Sequence, residues 1–187
     1  MSRIDVRKTF KLYIGGAFPR SESGRTYLVH DAKGARMANA SRASRKDARD
    51  AVVAPRGPLL GLVSVEAPII TTGNTCVVIA SEPHPLTAIT LGEVMATSDL
   101  PGGVVNVLTG SAAEVAPWLA SHMDVNGLDL TGVEDPALAT SLEEAAADNL
   151  KRVRRAPLAE VDWLATPGTD RMTDWLETKT VWHPIGI

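Results

Sequence analysis

Cysteine is almost absent: the 187 residues contain one, Cys76. A single thiol excludes an internal disulfide framework and fits a reducing compartment. Long apolar runs are missing too. The opening MSRIDVRKTFKLYIGG interleaves charges with apolar residues. No apolar segment there has the length of a signal-peptide core or a membrane span, so the expected location is cytoplasmic, with no membrane. Positive charge is not in excess, since 19 Lys and Arg stand against 22 Asp and Glu for a formal net charge of −3. Without a broad basic field no nucleic acid is expected, which leaves protein or small-molecule partners. His30, His84, His122 and His183 show no metal-ligand spacing, and only His84 is near Cys76 in sequence. No metal site is therefore expected.

What is present is a βαβ pattern in GNTCVVIASEPHPLTAITLGEVMATSDLPGGVVNVLTG, residues 73–110. Residues 75–80 are a β-branched run too apolar to alternate, which suits a parallel strand covered on both faces. Pro83 and Pro85 stop it. Leu86, Ile89, Leu91, Val94 and Met95 then recur at helical spacing until Pro101, Gly102 and Gly103, after which residues 104–108 form a second apolar strand. Parallel strands joined in this way need a right-handed crossover.

The flanking sequence extends the pattern. Residues 12–18 and 26–29 surround the turn-forming residues 21–24 and predict an N-terminal hairpin, with a second turn at 31–34. Ser44 and Asp47 have capping-box spacing for a helix reaching about Val53, which Pro55, Gly57 and Pro58 end. Ser111 and Glu114 repeat that spacing before a short helix, residues 127–130 predict a third strand, and the Ala-rich stretch 136–150 predicts a further helix. Residues 173–177 suggest a last helical turn or two before an extended run at 178–182. The chain is long enough for one domain with a real core.

The 73–110 stretch resembles the cofactor domain of the aldehyde dehydrogenase superfamily in length and punctuation. The likeness continues upstream in KLYIGGAFPRSESGRTYLV and ASRKDARDAVVA, and downstream in LASHMDVNGLDLTG, AAADNLKRV and WLETKTVWHPIGI. It implies a Rossmann-like α/β fold: a parallel sheet with flanking helices and an N-terminal β-hairpin. It further implies three parts: a hairpin and first helix over 1–55, a cofactor-domain remnant over 56–155, and a C-terminal tail over 156–187 with an oligomerisation strand. Members of the family are usually more than twice as long. About a hundred residues that follow the first helix in the family have no counterpart at the junction AVVAPRGPLLGLVSV, which implies an internal deletion.

The same resemblance implies NAD or NADP as cofactor, with Glu82 at the ribose, and Gly110 and Gly132 in the turns near the pyrophosphate. Several positions depart from the family. Ile79 replaces a lysine and Val133 a serine, so cofactor binding is expected to be weak or lost. Ala112 replaces a glycine, and Ala156 stands at the general-base glutamate. The family's cysteine nucleophile belongs to a domain without a trace here, and Arg56 falls where the oxyanion amide is expected. No catalytic residue is therefore assigned. Cys76 reads either as a reactive thiol or as a buried small hydrophobe within a strand. Glu82 reads equally as a ribose ligand or as a solvated turn residue.

Other conspicuous residues carry structural readings. Lys151, Arg152, Arg154 and Arg155 follow a helix whose dipole they oppose. Glu66 lies on or beside the apolar face of Leu59, Leu62, Val63, Ile69 and Ile70, so it should be exposed or paired with an arginine. Trp163, Trp175 and Trp182 fit either a binding patch or a core. Two functional expectations result. One is an aldehyde dehydrogenase-like protein without catalysis, acting as a homo-oligomer or as partner of a full-length relative through its final strand. The alternative is an NAD(P)-dependent aldehyde oxidoreductase with residual activity or a borrowed catalytic domain.

Overall fold

The computed structural model describes residues 8–44, 59–155, 157–159, 161–166 and 168–177. The anticipated helix reaching Val53, the extended run at 178–182, Arg56, Ala156 and Trp182 lie outside these residues.

Three short strands open the chain: β1 (Thr9–Phe10), β2 (Thr26–His30) and β3 (Arg36–Ser41). β2 and β3 form the antiparallel hairpin, and β1 pairs with β3 in parallel. The hairpin expected between 12–18 and 26–29 is thus displaced along the sequence. Its turn is built at Asp31, whose Oδ1 accepts the amides of Lys33 and Ala35 at 2.8 Å each, with Gly34 at φ +79°. Residues 12–18 instead fold back on themselves through an Ile14–Ala17 bridge, while Tyr13 bridges Val107 in the central layer. The apolar Leu12 and Tyr13 are buried, which favours joining the core over lying in a surface ribbon.

The central layer follows the expected alternation. Helix α1 (Leu60–Thr71) leads into β4 (Cys76–Ile79), then α2 (Pro85–Ala96), β5 (Val105–Leu108), α3 (Ala112–Ser121), β6 (Gly127–Asp129), α4 (Pro136–Ala147) and β7 (Arg152–Arg154). A single helical turn, α5 (Asp170–Thr173), follows, three residues before the place the sequence suggested. α2 starts on Pro85, whose fixed φ and missing N–H suit a first helical position. α3 forms without the expected box: the Ser111 side chain makes no capping hydrogen bond, and Glu114 pairs with Arg25. Asp135, not singled out in the sequence, does cap α4 by accepting the Ala137 amide at 2.9 Å.

β4 pairs with β5 and β6 with β7, all in parallel register. The strand β7 arises from residues the sequence presented as a basic cluster. Among the described residues no ladder joins β4 to β6, and these four strands form two parallel pairs. Helices cover both faces. Val77 and Ile79 of β4 share a buried cluster with Leu128 of β6, Val115 and Leu119 of α3 and Leu142 of α4. Cys76 and Val78 point the other way, into a cluster with Leu62, Val65 and Ile69 of α1 and Ile89 of α2. This two-residue alternation in fully buried strands is why their sequence shows no polar face.

Candidate functional site

The loops that leave β4, β5 and β6 converge. Residues 80–83 end β4, 110–113 lead into α3, and 132–135 lead into α4; together they enclose a pocket of about 260 Å³. Its position is chemically apt. In open α/β layers, ligands bind beyond the carboxyl ends of the strands, where the winding reverses. Here α3 carries the chain from β5 back to β6, and the reversal lies between β4 and β6. Glu82, Gly110 and Gly132 all line this pocket.

The surroundings of these three residues are specific. Arg42 Nη2 donates to Glu82 Oε1 at 3.3 Å, and Arg42 Nη1 lies 3.8 Å from Glu114 Oε2. Arg25 joins the same carboxylate at 3.4 Å. Glu82 is therefore held in a partly exposed ion network whose pairs are individually weak. Arg42 also lies 5.5 Å from the Tyr27 ring centroid. Among the described residues the buried Tyr27 hydroxyl has no hydrogen-bond partner, and desolvation, reinforced by Glu82, raises its pKa above the ordinary phenol value. Gly110 has φ +145°, and a Cβ there would lie 3.3 Å from the Ala43 amide nitrogen. Its freedom is thus used to accept the approach of the N-terminal segment, where Ala43 N donates to Thr109 O at 2.6 Å.

The side chains at 79 and 133 offer nothing to a dinucleotide's diphosphate. Ile79 and Val133 are buried in the α3 and α4 core cluster and present no donor. The ionisable groups among the lining residues are the carboxyls of Glu82, Glu134 and Asp135, which oppose an anion. Asp135 already occupies the N-terminus of α4. The Cys76 thiol is 3% exposed and belongs to the strand face turned toward α1 and α2. Burial is the main cause pushing its pKa above the ordinary thiol range, with Glu66 adding to it. It is a core thiol in neutral form, not an activated nucleophile.

Several polar residues escaped the sequence reading. Asp129 is 1% exposed within β6, and Arg171 Nη1 donates to its Oδ2 at 2.8 Å. Arg171 Nη2 also reaches Thr131 Oγ1 at 3.3 Å. Lys151, assigned to a helix dipole, is buried instead. Its Nζ donates to the carbonyls of His122 at 2.6 Å and Val125 at 2.8 Å, and to Asn149 Oδ1 at 2.5 Å. Desolvation lowers its pKa. Arg154 and Arg155 pair with Asp174 and Glu143. Glu66 is not exposed, at 4%, and among the described residues it pairs with no arginine and its Oε1 has no hydrogen-bond partner. Trp163 and Trp175 pack against the cluster that holds Cys76. Among the described residues no group of His, Cys, Asp and Glu could hold a metal.

The model of the aldehyde dehydrogenase family matches residues 51–155, more than half of the chain. The chain belongs to the aldehyde dehydrogenase family. Human (Homo sapiens) retinaldehyde dehydrogenase 3 is 38% identical over 96 residues, 51% of this chain and 19% of that protein. A mitochondrial aldehyde dehydrogenase of Leishmania tarentolae is 38% identical over 97 residues, with 51% and 19% covered. A solved structure of 3,6-anhydro-L-galactose dehydrogenase in complex with NAP superposes with a TM-score of 0.70 at 17% identity, covering 78% of this chain and 51% of that one. At that identity the superposition establishes the α/β fold. The chain spans about half the length of that structure, and its matched segment about a fifth of the two sequence relatives. Among the described residues no helix is long and apolar enough to cross a membrane.

The pocket's chemistry leads to a measurable expectation. Titration calorimetry with NAD or NADP should give binding weaker than millimolar, since each absent polar contact is worth roughly 0.5–1.5 kcal/mol. The double substitution Ile79→Lys and Val133→Ser restores a cation and a hydroxyl and should tighten binding. Micromolar affinity of the unaltered chain would contradict the acidic-lining argument.

Proposed function

We propose that this chain is an aldehyde dehydrogenase-like protein that does not itself oxidise aldehydes and that works through association, either with its own copies or with a full-length relative. One observation carries the reading. The sequence contains a single thiol, and it lies in the core on the face of β4 turned away from the pocket. Acyl chemistry of the kind the resemblance implies needs a thiolate within reach of substrate and a base to activate water. Family membership supports NAD(P)-linked oxidoreductase ancestry, and the pocket beyond β4 and β6 is where such a cofactor would be held if the fit were restored. Association is supported by the first turns of α1, where Leu59, Leu60 and Val63 are exposed side by side.

Absorbance at the reduced-nicotinamide band should show no turnover of simple aldehydes with NAD or NADP. Light scattering should show an oligomer, or a complex when an intact aldehyde dehydrogenase is added. Turnover abolished by Cys76→Ser would overturn the core assignment of the thiol. A monomer at micromolar concentration, indifferent to an intact aldehyde dehydrogenase and to removal of residues 178–187, would overturn the association reading. The alternative of a borrowed catalytic domain would appear as aldehyde turnover in that mixture exceeding that of the relative alone.

A further inference from the structure

Residues 122–127 carry the chain from α3 into β6 with the sequence HMDVNG. Asn126 is exposed and stands outside the strand, directly before its first residue, Gly127. The pair is chemically distinctive. The side-chain carbonyl carbon of an asparagine is an electrophile within reach of the next main-chain nitrogen, and the side chain of that next residue ordinarily obstructs ring closure between the two. Glycine has no side chain to obstruct it. The packing explains why glycine stands here: a Cβ on Gly127 would lie 2.5 Å from Cζ3 of Trp175 and 3.0 Å from its Cε3. The indole fills the place of a side chain, so the fold keeps a glycine after this asparagine.

The other four asparagines lack this combination. Asn39, Asn74, Asn106 and Asn149 precede Ala40, Thr75, Val107 and Leu150, each of which carries a Cβ. Their side chains are also engaged. Asn39 Oδ1 accepts from Arg36 at 3.1 Å, and Asn74 Nδ2 donates to Thr72 Oγ1 at 2.9 Å. Asn106 Oδ1 accepts the Gly15 amide at 2.8 Å. Asn149 Nδ2 donates to Met123 O at 3.0 Å, and its Oδ1 accepts from Lys151. At Asn126 the hydrogen bond among the described residues is made by the main chain, where Arg152 N donates to Asn126 O at 3.0 Å. The ladder between β6 and β7 does not hold the Gly127 nitrogen. It takes Leu130 N to Arg154 O at 2.8 Å, and in a parallel pair alternate residues face a given neighbour, so Gly127 N lies off that edge.

We propose that Asn126 is a site of spontaneous deamidation in the folded chain, and that the reaction releases the first rung between β6 and β7. The Gly127 nitrogen gives up its proton and attacks Cγ of Asn126. The bond from Cγ to the side-chain nitrogen breaks, ammonia leaves, and a succinimide closes. Water, the sole co-reactant, then opens either ring carbonyl. Opening at the side-chain carbonyl gives aspartate. Opening at the main-chain carbonyl leaves the chain running through Cγ, an isoaspartate with an additional main-chain atom. In that product the oxygen that accepted Arg152 N belongs to a free carboxylate, and the longer link shifts Gly127 against Arg152, its partner in register, and against Trp175. The inference rests neither on the association reading nor on any catalysis, so each can fail separately.

The test incubates the full chain in mildly alkaline buffer and follows every asparagine by peptide mapping with mass spectrometry. The peptide containing Asn126 should exchange its amide for a carboxyl several-fold faster than any other asparagine, with isoaspartate as the main product. The rate should rise with pH, because the attacking nitrogen must lose its proton. Urea unfolding should show a lower midpoint for the aged chain than for the fresh one. Asn126→Gln, which would have to close a larger ring, should keep both its amide and its midpoint through the same incubation. Asn126→Asp adds the charge without the additional main-chain atom and should unfold with the fresh parent. An Asn126 amide that survives while other asparagines convert, or that is lost only from the urea-unfolded chain, would overturn the site. Isoaspartate at 126 with an unchanged midpoint would overturn the release of the rung.

Discussion

Replacing Arg171 with alanine should destabilise the chain by about 3–5 kcal/mol, a large part of the stability of a domain this size. Asp129 is 1% exposed, and Arg171, itself only 16% exposed, holds it at 2.8 Å. Removing the guanidinium leaves a desolvated carboxylate with one remaining hydrogen bond among those described, from the Thr131 amide to Oδ1 at 2.9 Å. The arginine also lies 5.5 Å from the Trp163 ring centroid, so its stem and face contribute packing as well as charge. Urea unfolding followed by tryptophan fluorescence would measure the loss. The double variant Arg171→Met and Asp129→Asn should recover most of it, because an amide keeps the Thr131 contact without a buried charge. Equal losses in the single and double variants would show that packing of α5, and not the ion pair, sets the effect.

That pair also marks the limit of what the sequence could tell. The βαβ core was legible because its signals are local: β-branched runs closed by Pro83, Pro85, Gly102 and Gly103 fix strands and helix without reference to distant residues. The grouping of Glu82, Gly110 and Gly132 followed from family resemblance, and the fold places them in one pocket because each stands in a loop beyond a parallel strand. The hairpin was misplaced because Leu12 and Tyr13 look like strand residues wherever they pair, and only the core decides that Tyr13 bridges Val107. β7 was hidden by its arginines. In Arg152, Val153 and Arg154 the charged side chains flank a single apolar residue, and the partner of Arg154, Asp174, is remote in sequence. The one available signal was the lone Asp129 between Leu128 and Leu130, an acid that a buried strand cannot hold without a cation.

Glu66 should make stability fall as pH rises through neutrality, opposite to the usual behaviour of a paired carboxylate. Burial, with no compensating hydrogen bond to Oε1 among the described residues, raises its pKa from an ordinary 4.5 to about 8. The folded state therefore holds a proton that the unfolded state releases between those values. Stability contributed by the neutral carboxyl is complete below about pH 4.5, declines across the interval, and is lost above about pH 8. A shift of that size corresponds to a ceiling of about 5 kcal/mol, to be reduced by whatever water reaches the group. Cys76 stays protonated through the same interval because its own pKa is raised further, so the slope belongs to Glu66. Glu66→Gln keeps the shape and the donor of the protonated acid but cannot ionise. Its unfolding midpoint should match that of the parent near pH 4.5, exceed it increasingly up to about pH 8, and keep a constant lead above that. Parallel midpoint curves for parent and variant across that range would mean that the carboxyl is solvated or partnered in solution, and that α1 does not hold it against β4.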